Sequence, residues 1–219
     1  MRTHCIHRGT TMNRRQMREL LLQSLEAELG GVRIYSQAIE CAVDPGLASQ
    51  WKKYLAETRE HVETLQALCR KLGLDSEDLT NGREIVRHIG NALVEAMQMS
   101  RREGDPLAAQ RVACECVLLA ETKDHADWEL IGQLGRHDTS EDGVALLEAY
   151  ESIEDQEDAH LYHTRGWCRE LWIDALGLPS VLPPPEERLE VRTAIGAARA
   201  QASVRAIRRP GDTEPLDAQ

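Results

Sequence analysis

Leu146-Leu147-Glu148-Ala149-Tyr150-Glu151-Ser152-Ile153-Glu154-Asp155-Gln156-Glu157-Asp158-Ala159-His160 is the stretch on which the fold turns. Taken at alternating steps of three and four and carried onward, it sets Leu146, Tyr150, Ile153, Glu157, His160, Thr164, Trp167 and Leu171 along one side of a helix. That stripe is apolar towards both ends and carries an acid and an imidazole in the middle. An unpaired carboxylate is costly to bury, so the middle of this helix predicts a partner of opposite charge.

Three more stretches repeat the pattern. Asn13 to about Cys41 offers Leu21, Leu25, Glu28, Val32, Tyr35 and Ile39. About Ala48 to Leu72 offers Trp51, Tyr54, Thr58, His61, Leu65, Leu68 and Leu72, with Glu57 one turn before His61. About Leu107 to Leu134 offers Cys114, Leu118, Glu121, His125, Trp128 and Gly132. Breaks fall where glycine and proline cluster: Asp44-Pro45-Gly46, Gly73, Gly104-Asp105-Pro106, Gly135 to Thr139, and Gly177-Leu178-Pro179. A shorter helix, about Arg83 to Arg102, lies between the two long hairpins. The expectation is an all-α chain. An antiparallel four-helix bundle with one added short helix spans 13–178, and a disordered extension, 1–12, precedes it. A Pro183-Pro184-Pro185 linker, an amphipathic helix from Glu186 to Ile207 and a polar tail make an appendage over 179–219.

Register brings the polar middles together. Helices joined by a short turn are antiparallel neighbours. Glu28 lies seventeen positions before Pro45 and His61 sixteen after it; Glu121 and Glu157 each lie eighteen from Thr139. At about 1.5 Å per residue, each pair stands at nearly one depth. Carboxylates gathered in one core repel unless cations neutralise them, and two divalent ions supply that charge. Glu157 and His160 form a Glu-x-x-His pair at i, i+3, and Glu57 and His61 share a face at i, i+4. One Glu from each of two helices, with a Glu/His pair from each of two others, is the donor set of di-iron and di-manganese bundles. The metal ligands expected are therefore Glu28, Glu57, His61, Glu121, Glu157 and His160, and the cofactor two iron ions, with manganese the alternative.

Composition narrows the partners. A net charge of −11 argues against nucleic acid and anionic membrane, which need a basic face. The absence of Phe and an aromatic share of 4% suit helices better than sheets. No apolar run approaches the ~20 residues that span a bilayer. The N-terminus has no apolar core of a secretory signal. Met12 is an alternative start, and His4, Cys5 and His7 are assigned no function. Six cysteines without a CxxC pair read as reduced thiols of a cytoplasmic protein.

On these motifs the chain resembles the ferritin-like superfamily, with bacterioferritins and rubrerythrins the nearest groups. Leu25-Glu26-Ala27-Glu28-Leu29 with Tyr35 looks like their first helix, and Glu121-Thr122-Lys123-Asp124-His125 is similar to the rubrerythrin third helix. Glu57-Thr58-Arg59-Glu60-His61-Val62-Glu63-Thr64-Leu65 resembles a stress-associated bacterial ferritin-like family of uncertain activity, which also carries the short extra helix. The likeness spans residues 17–172. It implies a di-iron oxidoreductase of ferroxidase or peroxidase type, in oxidative-stress defence or iron handling, with dioxygen or peroxide as oxidant, in a homo-oligomer. Asp124, His125 and Tyr35 are implied to stand behind the ligands, Asp124 also as an extra ligand. Two departures matter. Thr58, not a carboxylate, stands three before His61, which leaves Glu57 and Glu60 as alternatives. The two CxxC pairs of a rubredoxin-like module are absent.

Other polar residues have plainer readings. His163 and Glu154 read as surface or supporting groups; Tyr54, Tyr150, Trp128, Trp167 and Trp172 as packing; Cys114 and Cys116 as space fillers. A second function of a different class is a non-catalytic scaffold, stabilised by metal and acting through its surface or the C-terminal appendage.

Overall fold

The computed structural model describes residues 13–179, and helix is the regular structure found among them. The expected extension over 1–12, and the linker, helix and tail beyond Pro179, lie outside the described residues. Five helices follow in order: α1 (Arg14–Cys41), α2 (Pro45–Lys71), α3 (Asn81–Arg102), α4 (Pro106–His137) and α5 (Glu141–Ala175). The described residues are all-α, as their periodicity indicates.

Side chains of the preceding residue start every helix. Asn13 accepts from the backbone N–H of Gln16, Asp44 from Leu47, Thr80 from Arg83, Asp105 from Leu107 and Ala108, and Ser140 from Gly143. Each cap satisfies an N–H that the helix leaves open, for about 1 kcal/mol. α2 begins at Pro45, three residues before the expected Ala48. Proline lacks the N–H that a first helical position has no use for, so Asp44-Pro45 opens this helix rather than merely ending the last. α2 stops where Gly73 takes φ +69°; its N–H bonds to the Arg70 carbonyl and that of Leu74 to Cys69.

α1 packs on α2, α3 and α4; α5 packs on α2 and α4; α3 touches α1 and α4. The long helices α1, α2, α5 and α4 thus neighbour one another in a cycle, with α3 laid against α1 and α4. Glycines set the closest approaches. A Cβ built on Gly90 of α3 would lie 3.6 Å from Gly30 Cα of α1, and one on Gly135 of α4 only 2.6 Å from the backbone nitrogen of Leu147 in α5.

The apolar interior is split in two. One cluster gathers Ile34, Tyr35, Leu47, Trp51, Tyr54, Val117 and Trp167; the other Met17, Leu21, Leu25, Leu65, Trp128, Ile131, Leu146 and Ile153. Leu21, Leu25, Leu65 and Leu146 are wholly buried, worth about 1.5–3 kcal/mol apiece. Glu28, His61, Glu121, Glu157 and His160 fall at the sequence positions between these clusters, on α1, α2, α4 and α5. A second buried charge locks α3 to α1. Glu26 of α1 accepts from Arg83 Nε at 3.0 Å and from Arg87 Nε and Nη2 at 2.9 and 2.8 Å, with Arg33 Nη2 at 3.6 Å. Burial alone would raise the Glu26 carboxyl; the Arg87 and Arg83 guanidiniums outweigh it and hold its pKa below the ordinary value.

Five cysteines (Cys41, Cys69, Cys114, Cys116 and Cys168) are buried free thiols. Burial raises the pKa of Cys41, Cys69 and Cys116, the last to about 11; Cys114 is held well above its ordinary value by the Cys168 thiol and by burial. No helix among the described residues is long and apolar enough to cross a membrane.

Candidate metal centre

Donor atoms of α1, α2, α4 and α5 converge in the protein interior. His61, Glu157 and His160 offer nitrogens and an oxygen all within 4.8 Å of one another, and Glu28, Asp124 and Glu157 offer three oxygens within the same limit. Glu157 belongs to both groups. His61 Nδ1 lies 2.9 Å from Glu157 Oε1 and 3.3 Å from Glu28 Oε1, and His160 Nδ1 lies 3.6 Å from Glu121 Oε2 and 3.7 Å from Glu157 Oε1. All six residues are buried. Glu28 lies beside His61, and Glu121 and Glu157 both lie beside His160.

The outer atoms of the same side chains are tied down. The Gln156 carbonyl oxygen sits 2.7 Å from His61 Nε2, where it accepts that nitrogen's proton and leaves Nδ1 facing the carboxylates. Trp128 Nε1–H donates to Glu28 Oε1 at 2.8 Å. Glu57 Oε2 accepts from His160 Nε2 at 3.2 Å, while Lys53 Nζ donates to both Glu57 oxygens at 2.7 and 3.0 Å. Each contact fixes a ring or carboxylate from behind.

The inner atoms are left over. Glu28 Oε2, His61 Nδ1, Glu121 Oε2, Asp124 Oδ1, both Glu157 oxygens and the Tyr35 hydroxyl are buried without a well-directed hydrogen bond. His61 Nδ1 approaches two carboxylates closely yet is aligned with neither. Buried polar atoms are nearly always satisfied, so several orphans at one point call for a missing partner.

Electrostatics tell the same story. Burial pushes the Glu28 carboxyl up to about 7, aided by the Glu157 charge and opposed by His61 and Trp128. Burial also holds Asp124 well above its ordinary value, and Glu28, Glu157 and Glu121 add to the rise. Burial would lower His61, but Glu157 and Glu28 outweigh it and lift it to about 11; Glu121 and Glu57 lift His160 to about 9 in the same way. Tyr35 lies beside Glu121, and burial with that charge keeps its phenol well above the ordinary range.

Some sequence assignments shift. Asp124, expected behind the ligands or as an extra one, joins Glu28 and Glu157 in a donor group. His125 is in neither donor group and pairs through Nε2 with Asp158 Oδ1 at 2.9 Å. Glu57 is half-buried, joined to His160 and Lys53 and in neither donor group, and Glu60 is exposed. His163, read as a surface or supporting group, is buried and bonds through Nδ1 to the Tyr54 hydroxyl and to Gln50 Nε2, the latter at 2.9 Å. Sequence reasoning missed Gln156 and Gln50 altogether, since a lone glutamine carries no spacing signal. The chain matches no protein-family model, and no curated protein or solved structure is similar to it.

Proposed function

We propose that the chain is a ferritin-like antiparallel four-helix bundle, built of α1, α2, α4 and α5 with α3 added outside, that holds two iron ions and oxidises ferrous iron with dioxygen or peroxide. Manganese is the alternative metal. The observation that carries this reading is the pair of donor groups sharing Glu157, with their inner atoms buried and unsatisfied.

The donor set fits such ions. Carboxylates with two imidazoles are hard to borderline ligands, suited to iron and manganese, and tetrahedral zinc would need fewer acids. Glu28, Asp124 and Glu157 would hold one ion, and His61, Glu157 and His160 the other, with Glu121 beside His160. When bound, iron supplies the electrons that reduce the oxidant. The chain's own residues do the rest. Gln156 presents His61 through Nδ1, Glu57 steadies His160 from Nε2, and Trp128 orients Glu28. The two apolar clusters on either side keep bulk water from the acids, and low polarity there strengthens their pull on a cation.

Metal analysis after anaerobic loading with Fe(II) and with Mn(II) tests the proposal. The expected result is two ions per chain in the wild type, lost in Glu157→Ala and His160→Ala while helicity by circular dichroism persists. Stopped-flow mixing with dioxygen or peroxide should then show iron oxidation. Fewer than one ion per chain would end the metal reading. Two ions with no oxidant consumed would leave a metal-stabilised scaffold.

A further inference from the structure

A small pocket opens between α4 and α5, with a volume near 110 Å³, and Glu157 lines it. Its other polar walls come from His125 and Glu129 of α4 and from Tyr150, Glu154 and Asp158 of α5. Burial grades inward: Glu129 is exposed, Glu154 and Asp158 are half-buried, and Glu157 is only 2% exposed. The half-buried acids are braced, since Tyr150 O–H donates to Glu154 Oε1 at 2.6 Å and His125 Nε2 meets Asp158 Oδ1 at 2.9 Å.

Acidic side chains around a dent prove nothing alone, because exposed acids are common. The second observation here is Glu157. Both its oxygens are buried without a well-directed hydrogen bond, Oε1 lying 2.9 Å from His61 Nδ1, and this same side chain lines the pocket. A cavity of this size holds about four water molecules at about 30 Å³ each. That admits a partly hydrated ion. The sign of the walls selects for positive charge.

We propose that this pocket is the loading port of the metal centre, where Glu129, Glu154 and Asp158 draw in a hydrated divalent cation and hand it to Glu157. The proposal rests on the metal-binding reading above. Water leaves the ion stepwise as carboxylate oxygens replace it, and no bond other than metal–oxygen is made or broken. His125, held by Asp158, forms part of the wall. The port acts on the rate of uptake and leaves the final ligands untouched.

Anaerobic stopped-flow uptake of Co(II), followed by its visible absorption, reads the port without any oxidation chemistry. The paired substitution Glu129→Gln with Glu154→Gln should slow Co(II) uptake about tenfold or more at low salt, in line with electrostatic steering. Its salt dependence should flatten, while stoichiometry at equilibrium is unchanged. Glu129→Lys, at an exposed position, should slow uptake further. Glu60→Gln with Glu63→Gln, two exposed acids on α2, removes the same charge elsewhere and should leave the rate within twofold of wild type. Uptake by the Glu129/Glu154 variant and by Glu129→Lys within twofold of wild type, with stoichiometry intact, overturns the port. An equal slowing in the α2 control also overturns it, because general surface charge would then explain the effect. Failure of wild type itself to take up Co(II) would instead strike the metal reading.

Discussion

Asp124→Asn provides the sharpest test of the electrostatics, because it should strengthen the metal-free protein while weakening the metal-loaded one. Asp124 is buried, its Oδ1 is orphaned, and the charges acting on it are the carboxylates Glu28, Glu157, Glu121 and Asp127. Folding therefore raises its pKa from an ordinary value of 3.8. Keeping an uncompensated carboxyl buried among like charges costs about 3–5 kcal/mol at neutral pH. The sign follows from the raised pKa: the carboxyl's contribution is fully present below about pH 4 and is lost as pH rises towards the folded value. Asparagine keeps the shape, does not titrate, and can donate to the neighbouring carboxylates. Its own desolvation takes back about 1–2 kcal/mol, leaving a net gain of about 2–3 kcal/mol. For a folded body of this size that is a rise in Tm of about 4–12 °C. The assay is urea unfolding and calorimetry with chelator present, at pH 7 and pH 4. At pH 4 the gain should be gone, and the asparagine's own desolvation should leave a loss of about 1–2 kcal/mol. With metal at a hundred times its Kd the wild type gains about 2.7 kcal/mol by mass action, and the variant, short of one donor, gains less. A metal-free variant less stable than wild type at pH 7, or a gain that ignores pH, would refute the reasoning.

Glu26→Ala should be the opposite case. It strands the buried Arg83 guanidinium and should cost about 3–5 kcal/mol, measured by chemical unfolding, with Co(II) stoichiometry retained under native conditions. The depressed pKa of Glu26 means that its stabilisation is present above about pH 4.5 and fades as acid protonates it below that. A wild-type acid-unfolding limb that stays the same in Glu26→Ala would contradict this. Gly135→Ala drives a methyl into the Leu147 backbone and should lower stability by about 1–3 kcal/mol, checked by calorimetry. Stripping metal from loaded wild type with a chelator should lower Tm, and adding it back should restore the value.

The helices and the convergence of Glu28, His61, Glu157 and His160 were legible in the sequence, because a 3.6-residue period and turn positions are local signals. Which residue faces inward at a given level was less so. From Glu121 a step of four reaches His125 and a step of three reaches Asp124; both rejoin the stripe at Trp128. Packing against α1 selects Asp124, and only the neighbouring helix carries that information. His163 and Thr164 pose the same ambiguity on α5, and there both are buried. The Glu26 cluster escaped notice because its partners Arg83 and Arg87 sit on α3, whose crossing over α1 depends on the Gly30–Gly90 contact. Glu57 was expected as a metal ligand on the face of His61; the structure sets it against His160 and Lys53, a contact between helices that spacing on its own helix does not carry.

The sealed thiols give the molecule a built-in clock. The thiolate is the form that reacts with alkylating reagents or peroxide; burial keeps Cys41, Cys69 and Cys116 in the unreactive form, and the Cys168 thiol with burial does so for Cys114. Labelling then waits for the surrounding helices to part, so its speed reports how often they do. Cys69 times the opening of α2, Cys41 that of α1, and Cys114 with Cys116 that of α4, three separate readings from side chains already in place.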